Sequence, residues 1–173
     1  PGIRLGVAQA GIKYPNRDDL TLIEMSEGSA TAAVFTQNTF RAAPVLVAER
    51  NNEVISARYI LINSGNANAG TGEPGMVACE QSCSALSELT HISPTEVLPF
   101  STGVIGEPLP TKTICDAVPK ALQQLSDNGW KDAAEAQEAE VARLDLDVAA
   151  QEAEVRAMKE MYGGEGGQTT AAL

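Results

Sequence analysis

Aromatic rings, histidine and positive charge are all scarce in this sequence. Of its 173 residues 4% are aromatic, His91 is the only histidine, and 12 Lys and Arg face 23 Asp and Glu, a net charge of −11. The charge excludes a nucleic-acid-binding surface, because phosphate recognition needs clustered cations and these are scattered. The lone histidine means that any Ser or Cys triad would have to be built around His91. Three cysteines, an odd number, do not make a disulfide framework, and a reducing cytoplasm is the expected location. There is no run of about 18 apolar residues and no basic, apolar, small-residue leader, so neither a membrane span nor a secretory signal is expected. With rings rare and Ala and Gly plentiful, a 43% apolar content implies one core of small and β-branched side chains with close backbone approaches.

What is present reads first as sheet. Ile3, Leu5 and Val7 alternate, and Leu20 to Met25, Ala32 to Thr36 and Pro44 to Glu49 continue as short apolar stretches between turn residues. Tyr59-Ile60-Leu61-Ile62 is a continuous apolar run that predicts a strand covered on both faces, running into Asn63 and a Gly/Asn-rich loop from Ser64 to Gly72. Met76, Cys79, Cys83, Leu86 and Leu89 then recur at helical spacing from a start near Pro74. Ser93-Pro94-Thr95-Glu96 is a capping box, Val97 to Val104 a buried strand, and Ile114 to Leu125 a second helix pattern that Pro119 should kink or split before a stop at Asn128-Gly129.

The composition changes after Trp130. Ala136-Gln137-Glu138-Ala139-Glu140-Val141 recurs fourteen residues later as Ala150 to Val155, and Val141, Leu144, Val148, Gln151, Val155, Met158 and Tyr162 alternate at spacings of three and four. This predicts a long helix with one narrow apolar seam, ending in the glycines at 163–167. The expected domains are therefore 1–130, an α/β fold of sheet with packed helices, and 131–173, a heptad-like helix that pairs with another chain.

Several residues invite chemistry. The Ser64 to Gly72 loop could hold an anion at a helix start, but it has no Lys of the phosphate-loop kind, and a tight loop of positive-φ residues is the stronger reading. Neither Ser64 nor Ser101 lies in a Gly-x-Ser-x-Gly elbow. Cys79 and Cys83 lie one helical turn apart with no second ligand pair, so buried packing is the better account and no metal or cofactor is expected. Thr102-Gly103 follows an apolar strand, where a hydroxyl and the next amide could present two donors to a developing oxyanion.

Four stretches together resemble the ornithine acetyltransferase (glutamate N-acetyltransferase) family of arginine biosynthesis. They are Gly2 to Ala8 with Ala10-Gly11-Ile12-Lys13, Ala33 to Asn38 with Ala42 to Val45, Asn63 to Ala69 with Thr71-Gly72, and Ser101-Thr102-Gly103-Val104-Ile105-Gly106. The likeness covers residues 1 to about 134. It implies a self-processing, Ntn-hydrolase-like architecture in which one precursor cuts itself before an internal Thr, giving an α chain and a β chain that begins with the nucleophile. It further implies acetyl transfer from N-acetylornithine to glutamate through an acyl-threonine, in an αβ hetero-oligomer, and leaves open whether acetyl-CoA also serves. The family's oxyanion hole falls on Thr102 and Gly103. After Ala134 the family's Met-Thr-Thr-Asp-Thr, Lys-Gly-rich and Asn-Met-Ala stretches are absent, so its substrate-binding Thr and Lys have no counterpart here. The resemblance thus implies a chain that is inactive alone; the alternative is a non-catalytic domain of the same fold that assembles through its C-terminal helix.

Overall fold

A computed structural model describes residues 2–138, 153 and 156. The chain divides into two units, Val141–Leu173 and, carrying the sheet and its helices, Pro1–Glu140. Its four strands, β1 (Ile3–Ala8), β2 (Leu20–Met25), β3 (Tyr59–Asn66) and β4 (Val97–Val104), form one mixed sheet in the order β1-β2-β3-β4. β1 and β2, then β2 and β3, pair antiparallel, whereas β3 and β4 are parallel. A parallel pair needs a long crossover, which α2 (Gly72–Thr90) supplies. With β1, β3 and β4 all pointing the same way, their C-terminal ends lie along one edge of the sheet.

Helices α1 (Ala43–Val54), α2 and α3 (Thr111–Gln123) pack on the sheet. The core joins Leu20, Leu22 and Leu61 from strands to Val47, Leu86, Ile114 and Val118 from helices. Small residues let the layers close: a β carbon on Gly6 would stand 2.3 Å from the Ala121 carbonyl oxygen of α3. The outer edge of β1 is held by one antiparallel bridge to Ser126, with Leu5 N–H to Ser126 O at 3.0 Å and Ser126 N–H to Leu5 O at 2.9 Å. A helical segment at 130–138 follows, in which Ala133 and Ala136 are buried. The apolar seam expected from Val141 to Tyr162 lies outside the described residues.

Five readings of local structure are corrected. Pro44 to Glu49 is helix, because Ala43, Val47, Ala48 and Asn51 recur at helical spacing on the buried side and Pro44 sits in the first turn, where its missing N–H costs nothing. Ala32 to Thr36 pairs with no strand and runs irregularly. Asn63 to Asn66 belongs to β3, not to the loop after it. Pro119 does not split α3, which continues to Gln123 and ends before Asn128. Proline removes a single backbone bond there, and Ile114, Val118 and Ala121 bury the same face on both sides of it. Leu89, expected on the buried face of α2, is exposed, whereas Cys79, Cys83 and Leu86 are buried as the spacing predicts.

At the far end from the strand C-termini lies an ionic network. The Tyr59 hydroxyl donates to Glu24 at 2.8 Å, and Arg4 pairs with the same carboxylate. Burial opposes ionisation of Glu24, but hydrogen bonds from Arg4 and Tyr59 outweigh it and hold its carboxyl below the usual range. Burial and the bond to Glu24 push the Tyr59 phenol up to about 12. The folded state thus keeps this proton where an unfolded tyrosine, titrating near pH 10, would lose it. The stabilisation is complete below about pH 10 and disappears as pH rises toward 12. In urea denaturation, wild type should be more stable than Tyr59→Phe at pH 8 and lose that advantage by about pH 12; a gap independent of pH would contradict the assignment.

Candidate functional site

At the C-terminal ends of β3 and β4 the register sets Asn63 opposite Ser101, Ser64 opposite Thr102, Gly65 opposite Gly103 and Asn66 opposite Val104. Two stretches about forty residues apart in sequence therefore lie side by side. Thr102 and Gly103 are half-buried, and Ser64 is inaccessible. Gly103 has φ +131°, a conformation that side chains rarely adopt, and a β carbon there would stand 2.3 Å from the Gly65 carbonyl carbon and 2.5 Å from the Asn66 nitrogen. Glycine is required twice over, by dihedral and by contact.

Asparagine side chains satisfy the backbone as the strands end. Asn63 donates to the Asn66 carbonyl at 2.8 Å and accepts from the Ser101 hydroxyl at 2.5 Å. Asn66 accepts from the Asn68 amide at 2.8 Å and donates to the Glu107 and Pro108 carbonyls, both at 3.2 Å. Asn68, fully buried with φ +46°, donates to the Gly75 carbonyl at 2.9 Å and accepts from Thr71 at 2.8 Å. Positive φ at Asn68 and Gly70 in the loop and at Gly72, where α2 begins, matches the tight-loop reading, and Gly65 carries the same feature at the end of β3. They fix the start of α2, while the Ala69 carbonyl accepts from Gly106 at 2.8 Å and ties down the exit of β4.

The structure adds two residues that sequence reasoning missed. Asp19, 3% exposed, accepts from the Ala10 and Ile12 amides at 2.7 and 2.6 Å. Its carbonyl takes the Ser64 amide at 2.9 Å, so it binds the 10–13 stretch to β3. Gln137 donates to the Thr21 hydroxyl at 3.1 Å and accepts from the Ser64 hydroxyl at 3.4 Å, laying the 130–138 segment against the sheet. Neither carried a motif. Asp19 is an ordinary acid before a strand, and Gln137 sits in an Ala/Glu-rich stretch.

The other candidates stay apart. His91 is exposed and closes α2 in the left-handed conformation. Nineteen residues of α2 put it roughly 28 Å along the helix from the strand C-termini. Cys79 and Cys83 are buried on α2, and the Cys79 thiol is pushed up by its hydrogen bond to Cys83 and by burial, so it is unreactive packing. Among the described residues no group of three or more His, Cys, Asp and Glu is placed to hold a metal ion, and no helix is long and apolar enough to cross a membrane. Beside Phe100 and Ser101 an open apolar cleft of about 480 Å³ is lined by Phe35, Val45 and Pro99, so the 33–38 and 42–45 stretches lie next to β4. A larger cleft, of about 760 Å³, lies between the starts of α2 and α3 and touches neither Thr102 nor Gly103.

Comparison with known proteins gives consistent findings. The model of the ArgJ family matches residues 4–160. The arginine biosynthesis bifunctional protein ArgJ of Methylococcus capsulatus is 56% identical over 135 residues, covering 78% of this chain and 33% of the relative. That of Pseudomonas fluorescens is 51% identical over 133 residues, covering 77% and 33%. This chain thus spans about a third of the length of the curated relatives it matches. Among solved structures, the ornithine acetyltransferase of Mycobacterium tuberculosis, complexed with ornithine, superimposes with a TM-score of 0.70 at 34% identity, covering 78% of this chain and 74% of that one. ArgJ of Bacillus halodurans gives 0.63 at 34% identity, covering 66% and 60%.

The contact between strand ends can be weighed against a control. Gly28 also has positive φ, +81°, but a β carbon there would meet nothing within 4 Å, so Gly28→Ala should cost about 1–2 kcal/mol of conformational strain alone. Gly103→Ala should cost about 3 kcal/mol or more, because backbone must also move. Urea denaturation measures both, and equal costs would mean that β3 and β4 do not touch at Gly103.

Proposed function

This chain belongs to the ArgJ family, and on that premise we propose that it supplies the oxyanion hole of an enzyme that transfers acetyl from N-acetylornithine to glutamate in arginine biosynthesis. The observation that carries the reading is the register of β3 and β4, which holds Thr102-Gly103 against Ser64-Gly65 by backbone contact. Donors stabilise a transition state only when they are in place before charge develops, and a strand end held against β3 by backbone contact and tied at its exit by the Gly106–Ala69 bond meets that requirement.

In the proposed reaction a Thr hydroxyl at the start of a separate β chain attacks the acetyl carbonyl carbon, its proton passing to that chain's own α-amine. The carbonyl oxygen becomes an oxyanion, toward which the Thr102 hydroxyl and the Gly103 amide donate. Collapse breaks the carbon–nitrogen bond, ornithine leaves with the proton on its amine, and acetyl-threonine remains. The glutamate amine then attacks the acyl-threonine through a second oxyanion at the same donors, giving N-acetylglutamate and restoring the hydroxyl. The chain carries donors but neither nucleophile nor base, so the working enzyme is an αβ hetero-oligomer.

Purified alone, the chain should transfer no acetyl group from N-acetylornithine to glutamate. Joined to the α-chain stretches it lacks and to a β chain beginning with Thr, it should be active. Thr102→Ala should then lower kcat by roughly 10²-fold with the fold retained, the residual rate coming from the Gly103 amide. A kcat near wild type in that variant would return Thr102 to the role of an ordinary strand-end residue.

A further inference from the structure

The stretches that meet at the ends of β3 and β4 are nearly free of charge. Residues 63–72 and 101–106 contain no ionisable side chain, and within 10–13 the one charged residue is Lys13. Its position is built. The Asp19 carboxylate holds the amides of Ala10 and Ile12 at 2.7 and 2.6 Å while the Asp19 carbonyl holds Ser64, so one buried residue fixes the distance between loop and strand. Lys13 is thereby laid over Gly65: a β carbon on Gly65 would stand 3.1 Å from the Lys13 Cβ and 3.6 Å from the Lys13 backbone nitrogen. Gly65 is the register partner of Gly103. A side chain at position 65 would displace Lys13, which gives this glycine a second reason beyond its φ of +100°.

The Lys13 side chain is exposed and makes no ion pair among the described residues. In a chain with net charge −11, an anionic ligand is repelled unless a local cation offsets the field. We infer that the Lys13 ammonium binds the carboxylate of the amino-acid substrate, holding it while the acyl group lies at Thr102 and Gly103. An ammonium is a compact charge with three rotatable donors on a flexible four-carbon stem, which suits a carboxylate met at the mouth of a site. The inference rests on the acyl-transfer reading for the end of the substrate that faces Thr102, but the anion site itself does not.

Amide NMR of the whole 173-residue chain tests it, with N-acetylornithine, its carboxamide and sodium propionate titrated at constant ionic strength. N-acetylornithine should shift the Gly65 and Gly103 amides saturably, and its carboxamide should not. Lys13→Met should weaken binding by roughly tenfold or more, as loss of a charge-assisted hydrogen bond would, while Lys13→Arg retains most of it. Because Lys13 is exposed, both variants should keep the wild-type spectrum elsewhere. Equal binding by Lys13→Met and wild type, equal binding of acid and carboxamide, or no saturable shift at either glycine overturns the inference. If propionate binds as well as N-acetylornithine and with the same dependence on Lys13, the anion site stands and the acetyl-transfer reading is the one that fails.

Discussion

Two parallel strands can stay in register to their last residue only if the chain leaving each of them has somewhere to put its backbone polar groups. Here β3 and β4 touch at Gly65 and Gly103, so closely that no β carbon fits between them. The next amides and carbonyls are taken by Asn63, Asn66 and Asn68. A buried polar group left unpaired costs about 1–3 kcal/mol, so these asparagines are what allow the sheet to end abruptly and α2 to begin a few residues later. The rest of the site inherits its geometry from that arrangement, including the exit of β4 through Gly106.

Charge and hydrogen bonding are separated along the strands. Arg4, Glu24 and Tyr59 form an ionic cluster where β2 ends and β3 begins, whereas the strand tips at the opposite end present neutral amides and hydroxyls, Thr21, Ser64, Thr102 and Gln137 among them, with the Asp19 carboxylate turned onto backbone amides and Lys13 the exposed cation beside them. Fixed neutral dipoles suit a site where negative charge comes and goes during a reaction, since they need no counter-ion in the resting state and little reorganisation when the charge forms.

Much of the fold was legible in the sequence where the signal is local. The run Tyr59 to Ile62 reads as a covered strand, Pro74 and the spacing of Cys79, Cys83 and Leu86 read as a helix, and Ser93 with Glu96 reads as a capping box, which both side chains form. Where a partner distant in sequence decides the outcome, the reading went astray. Asn63 to Asn66 looks like loop by composition and is strand because β4 supplies its bonds. Pro44 to Glu49 looks like strand by its β-branched residues and is helix because the side that packs on β4 and α2 recurs every three to four residues. At the site, the proposed donors Thr102 and Gly103 came from strand position and motif resemblance, whereas Asp19 and Gln137 became visible only when the chain closed, since neither residue type nor spacing marks them.

The bridge between Leu5 and Ser126 bears on the order in which the molecule can be assembled. β1 leaves the ribosome well before Ser126, and it can pair with β2 as soon as the hairpin between them emerges. Its outer edge waits for Ser126. At translation rates of about 5–20 residues per second, that edge stays open for on the order of ten seconds, with Ile3, Leu5 and Val7 on a strand able to template another chain. Arg4, charged and half exposed near its start, is the kind of residue that discourages such pairing during the wait.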